Sequence, residues 1–125
     1  MLRLAGAVIG GLVAWMVLVT LLNFGLRTAI PGYHEAEPTF AFTLTMMIGR
    51  LAIAVLTSLA AGAVVRAIAP ASDLAPWVVG IVLLALFIPV HVQIGARLPL
   101  WYHLAFLLTL APLVWAGARL GQRAV

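Results

Sequence analysis

The chain has 125 residues, of which 66% are hydrophobic and only 8% charged, and its mean hydropathy is +1.22. So few polar side chains cannot cover a water-soluble protein of this size, which excludes an ordinary globular domain and makes the lipid bilayer the natural solvent and first partner. The formal charge is +4 and all seven basic residues are arginine; scattered singly, they do not make the basic face of a nucleic-acid binder, and the absence of cysteine excludes disulfides and thiolate metal sites.

The first apolar run, Leu4 to Leu22 after Met1, Leu2 and Arg3, exceeds the ~7–15 residues of a signal-peptide core, and no small-residue cleavage site follows it. It reads as a membrane span. Four runs reach the ~20 residues that a bilayer crossing needs, at 4–26, 40–65, 74–94 and 98–118. None alternates with a period of two, and open sheet edges are excluded in lipid, so the spans are helices. The expected fold is all-α: one integral membrane domain over 1–125, a four-transmembrane-helix bundle with up-down topology. Pro76 and Pro99 suit helix starts, while Pro89 and Pro112 fall inside the third and fourth spans and should kink them.

The connections differ in length and charge. Arg27 to Thr39 carries Arg27, His34, Glu35 and Glu37; Arg66 to Asp73 carries Arg66, Pro70 and Asp73; Gly95 to Leu98 is barely a turn and makes spans three and four neighbours. Arg3, Arg66, Arg119 and Arg123 gather on the side of the termini, against Arg27, Arg97, Glu35 and Glu37 on the other. The positive-inside rule then places both termini in the cytoplasm. Short loops and an alanine-, valine- and arginine-rich, lysine-free composition suggest a bacterial inner membrane. Trp77 on one side and Tyr33, Trp101 and Tyr102 on the other read as interfacial aromatic belts, with Trp15 and Trp115 deeper, packed or facing lipid. Arg27, Pro31, Tyr33 and His34 before span two echo Arg97, Pro99, Tyr102 and His103 before span four, as two duplicated hairpins would.

Arg50 is the residue that lipid should not tolerate. It lies ten residues into the second run, and a charge at depth must face protein, water or a partner, unless its stem snorkels to the headgroups. With three acids in the chain, Glu35 or Glu37 is the expected counter-ion. Asn23, Thr43, His91 and His103 lie at comparable depth and complete an expected periplasm-facing polar pocket. Helical spacing puts these groups on stripes with small residues: Asn23 with Gly10 and Gly6, Arg50 with Thr43, Ala54, Thr57 and Ala61, His91 with Gly80 and Trp77, His103 with Gly117 and Gly121. Small-residue faces, including Ala54, Ser58 and Gly62, offer close helix packing or a homodimer or membrane-protein interface.

Three function classes remain open on the sequence. The main one is a non-enzymatic accessory, structural or binding protein with the Arg50 pocket; no catalytic constellation, phosphate loop or buried carboxylate pair is present. The second is a small, dimeric anion or solute transporter or channel; small multidrug transporters are also short and four-spanned, but depend on an intramembrane glutamate that this chain lacks. The third is a metal site built from His34, Glu37, His91 and His103, or a haem. Membrane b-type cytochromes are similar in bare layout, four helices with histidine ligands, yet no motif surrounds His91 or His103, and no cofactor is assigned.

Overall fold

A computed structural model describes residues 2–39 and 41–124, and side chains as far as Gly121. The expected start of the second span at Phe40 and the side chain of Arg123 fall outside the described residues. All regular structure among the described residues is helical: α1 (Leu2–Ala29), the short α2 (Tyr33–Ala36), α3 (Leu44–Ile68), α4 (Leu74–Gln93) and α5 (Leu100–Ala124), with single 3-10 turns at Glu37–Thr39 and Gly95–Arg97. Four of these helices, α1, α3, α4 and α5, are long and apolar enough to cross a membrane.

Local chemistry sets the boundaries. Thr43 caps α3, its Oγ1 accepting from Met46 N at 3.3 Å. Helix α3 therefore begins at Leu44, later than the apolar run suggested, and Arg50 sits about 9 Å along it at ~1.5 Å per residue. Before α4, Ser72 Oγ accepts from Ala75 N, and Pro76 is the third residue of the helix, within its first turn, rather than the first. Pro89 and Pro112 lie inside α4 and α5 as expected.

The helices form a ring in the order α1, α3, α5, α4, with α3–α5 the most extensive seam and α1–α4 the thinnest. In the α3–α5 seam the residue numbers rise together: Leu59 meets Gly117 and Ala63 meets Gly121. A methyl group on Gly62 would land on the Val114 carbonyl oxygen, and one on Gly117 on the Leu59 carbonyl. Backbone thus touches backbone, which only glycine permits. Gly80 meets Ala111 across α4–α5 in the same way. The expected stripes of α3, α4 and α5 agree in large part with the buried faces. Trp77 departs from its stripe: it is partly exposed and stacks on Trp115 at 6.2 Å.

In α1 the expected stripe is wrong by one position. Ala7, Gly11 and Trp15 are buried, whereas Gly6, Val13 and Thr20 are exposed. Every fourth residue from Ala7 leads through Gly11, Trp15 and Val19 to Asn23, so Asn23 still faces inward. Trp15 Nε1 donates to Ser58 Oγ at 3.1 Å, tying α1 to α3 in the core. Residue numbers run oppositely along these two helices, since Gly11 meets Val65. Thr57 Oγ1 is buried without a partner among the described residues.

Arg66, expected as a loop charge, is 4% exposed and belongs to α3. It donates to the carbonyls of Ala118 and Pro70 and to Asp73 Oδ1, closing the end of the bundle opposite Arg50.

Gly62→Ala and Gly117→Ala should each destabilise the bundle by about 1–3 kcal/mol, the usual cost of overpacking. Gly25→Ala, where a methyl group meets nothing within 4 Å, should be neutral or slightly stabilising. Unfolding in mixed micelles compares the three.

Candidate functional site

Pro31 and Gly32 reverse the chain after α1. Gly32 takes φ 84°, a left-handed conformation that a side chain resists. The reversal drops Tyr33 into a nest of Leu26, Ile30, Ala36, Phe42 and Met46, where it is fully buried. At the α4–α5 turn, Leu98 and Tyr102 pack on Met47 of α3 and are likewise buried. Both tyrosines, expected as interfacial belt residues, instead point their phenols at one group.

That group is the Arg50 guanidinium. Nη1 donates to Tyr33 Oη at 2.7 Å and Nε to Tyr102 Oη at 3.0 Å. The Phe42 ring lies 4.7 Å from the guanidinium carbon, a cation–π contact, and stacks on Tyr33. Tyr33 passes its own proton to Asn23 Oδ1 at 3.0 Å. Burial holds the Tyr33 phenol above its usual pKa, with Arg50 pulling the other way, so it stays protonated and keeps that donor.

Neither expected glutamate is the counter-ion. Glu37 is taken by Arg27 in a two-point pair, Nε to Oε1 at 2.5 Å and Nη2 to Oε2 at 2.9 Å. His34, 75% exposed, stands 3.9 Å from the same carboxylate. Glu35 is exposed. Thr43 is spent as the α3 cap and is exposed too. The loop acids lie where Arg27, at the end of α1, reaches them first.

Arg50 therefore carries a charge in an apolar helix that the chain solvates with phenols and a ring. Five N–H donors belong to a guanidinium; two are used, and among the described residues Nη2 bonds to nothing. The Tyr102 proton likewise has no acceptor there. Both residues line a cavity of about 240 Å³, walled further by Asn23, His91, Ile53 and Val90, with Trp15, Phe87 and Phe106 among its apolar residues. Of the expected pocket, Arg50, Asn23 and His91 share this cavity; His103 touches it only through His91.

The two histidines form a pair of their own. His91 Nδ1 and His103 Nδ1 are 2.5 Å apart, and His103 Nε2 reaches the Gly95 carbonyl at 3.4 Å. A carbonyl only accepts, so His103 carries its proton on Nε2 and accepts at Nδ1 from His91 Nδ1–H. His91 then presents an unprotonated Nε2. The pair does not fit a metal or haem between its Nδ1 atoms, because two bonds of ~2.0–2.1 Å require a separation of about 3.3 Å at a tetrahedral metal and about 4 Å across a haem. The four candidate ligands do not come together either: no group of three potential ligands is present among the described residues.

No protein-family model matches the chain, and comparison with curated proteins and with solved structures finds no match to either. The site therefore rests on its own geometry.

Tyr33 and Tyr102 were missed as site residues because a tyrosine near the end of an apolar run also fits a membrane interface. The repeated Tyr-His pair was the available signal: each tyrosine precedes a histidine after a turn, and the two phenols converge on Arg50.

Tyr33→Phe and Tyr102→Phe each remove a hydrogen bond to a charged group and should cost about 1.5–3 kcal/mol. In an Arg50→Leu background both costs should shrink, a coupling that a double-mutant cycle in mixed micelles reads directly. A separate effect concerns the loop. Arg27 holds the Glu37 carboxyl below its usual pKa, so the pair stabilises the connection above the ordinary carboxylate pKa and is lost as pH falls through the lower folded value. Protection of the α2 amides, taken relative to the intrinsic exchange rate at each pH, should fall below about pH 4, and Glu37→Gln should remove that fall.

Proposed function

We propose that the chain is a non-enzymatic integral membrane protein whose pocket binds a negatively charged group against Arg50. It is read as an up-down bundle in a bacterial inner membrane, with both termini cytoplasmic and the pocket toward the periplasmic side. The arginine distribution and the antiparallel contacts of α1 with α3 support that orientation and topology.

The carrying observation is the open donor set. Arg50 and Tyr102, each with a donor that bonds to nothing among the described residues, line a cavity with no carboxylate among its lining residues. A charge desolvated without a counter-ion is costly, and a bound anion offsets that cost. Charge-assisted bonds from a guanidinium fork suit an oxyanion in particular. Trp15, Phe87 and Phe106 pack ring to ring, with centroids 5.0 and 5.2 Å apart, deeper along their helices than Asn23, His91 and Tyr102. This aromatic floor favours binding over passage.

Trp15 lines the cavity and serves as reporter once Trp77, Trp101 and Trp115, all exposed, are changed to phenylalanine. In detergent micelles iodide should quench Trp15 out of proportion to neutral acrylamide, and saturably. Arg50→Leu should reduce the iodide affinity by roughly tenfold or more, the equivalent of losing hydrogen bonds to a charged group, while Arg50→Lys keeps part of it. Unfolding midpoints confirm that each variant is folded. Equal behaviour of the folded leucine and lysine variants would remove the guanidinium's role and with it this reading.

A further inference from the structure

The cavity lies among all four long helices and reaches the α1–α4 seam, the thinnest of the ring. Its lining includes Met16 and Val19 from α1 and Val90 and Ile94 from α4. Helices α1 and α4 meet closely only toward the other end, where Gly11 lies against Val79 and Trp15 against Phe87. Beyond that point the two helices contribute cavity walls. Met16 and Val90 line the cavity from these two helices and are 44% and 41% exposed. The cavity thus opens sideways, through an apolar mouth on the flank of the bundle. On the connection side, Tyr33 and Phe42 cover the guanidinium.

These features specify an amphiphile. The inner end offers cationic and neutral donors: the unused N–H groups of Arg50 and the Tyr102 hydroxyl. The way out is hydrocarbon-like and faces the side where lipid tails pack around a spanning bundle. At about 240 Å³ the cavity lies below the ~300–1,000 Å³ of sites that enclose drug-sized ligands. It holds a head group and the first part of one chain, with the remainder outside between α1 and α4; a glycerol backbone with two acyl chains does not fit inside. The N–H groups that the bonds to Tyr33 and Tyr102 leave, two on Nη2 and one on Nη1, suit a planar carboxylate held at two points. We infer that the pocket takes a single-chain carboxylate amphiphile from within the membrane, its head on Arg50 and Tyr102 and its tail leaving between Met16 and Val90. This rests on the reading of Arg50 as an anion site and adds the ligand class and the direction of entry.

The single-tryptophan protein in phosphatidylcholine nanodiscs tests it, with stearic acid brominated nearer its head group, at carbons 6 and 7, and the methyl ester of that acid as probes above neutral pH. Bromine quenches Trp15 only in contact, and the ester carries the same chain without the charge. The acid should quench saturably and with roughly tenfold higher apparent affinity than the ester. The difference should vanish in folded Arg50→Leu and persist in part in Arg50→Lys. Competition by unlabelled dodecanoate should relieve the quenching; relief by dodecyl phosphate alone would overturn the carboxylate assignment. Equal quenching by acid and ester, alongside Arg50-dependent iodide quenching in micelles, would overturn the amphiphile and lateral entry while leaving the anion site standing. Loss of the Arg50 dependence in both assays would overturn both.

Discussion

The solvation of one guanidinium is the constraint around which this bundle is arranged. An arginine in an apolar helix must be given oxygen or ring partners by the protein itself. Here it receives two phenols and the face of Phe42. Those partners come from opposite sides of α3: Tyr33 from the connection that folds back after α1, and Tyr102 from the first turn of α5. Placing them requires the left-handed turn at Gly32, the cap at Thr43 that sets where α3 begins, and the packing of Leu98 and Tyr102 on Met47. Short polar devices at the loops therefore serve a charge inside the helices.

The opposite end is held by a different device. A second arginine, Arg66, is buried against α5 and satisfied by two carbonyls and Asp73, so its donors are consumed structurally. Between the two arginines, Gly62 and Gly117 bring α3 and α5 into backbone contact. In a bilayer, which these helices are long and apolar enough to cross, such close approach is a van der Waals matter, because lipid supplies no hydrophobic drive for helices to associate. It leaves α3 and α5 as the rigid pair, with α1 and α4 meeting thinly. The same asymmetry that closes one end leaves a cavity at the other, and the contrast between an arginine each of whose three nitrogens has a partner and one whose Nη2 has none among the described residues is what singles out Arg50.

Much of the site was legible only as a set of depths. Arg50, Asn23 and His91 were expected to share a layer, and they line one cavity. The expected partner of Arg50 was a glutamate, since opposite charges are the obvious pairing; Arg27 claims Glu37 because both sit at the same loop. The histidines were weighed as ligands, and the tight turn between α4 and α5 brings them close enough to bond to each other instead. In α1 the inward face was displaced by one residue, because Gly6 and Gly10 suggested an interface that Ala7, Gly11 and Trp15 in fact provide. An apolar helix gives little contrast between its faces, so periodicity cannot place the interior reliably.

By itself the sequence determined the helices: long apolar runs without alternation leave only that way to satisfy the backbone in lipid, and turn residues marked their ends to within a few positions. It also showed that a cation lay inside one of them. Only the tertiary structure decided what that cation touches. A tyrosine is amphipathic, and near the end of a span it can serve an interface or a buried charge equally well; the choice depends on whether the turn before it points the ring outward or in. The partners of Arg50 are brought to it by chain reversals at Gly32 and around Gly95, where residues distant in sequence meet, and no local property of the apolar runs records that meeting.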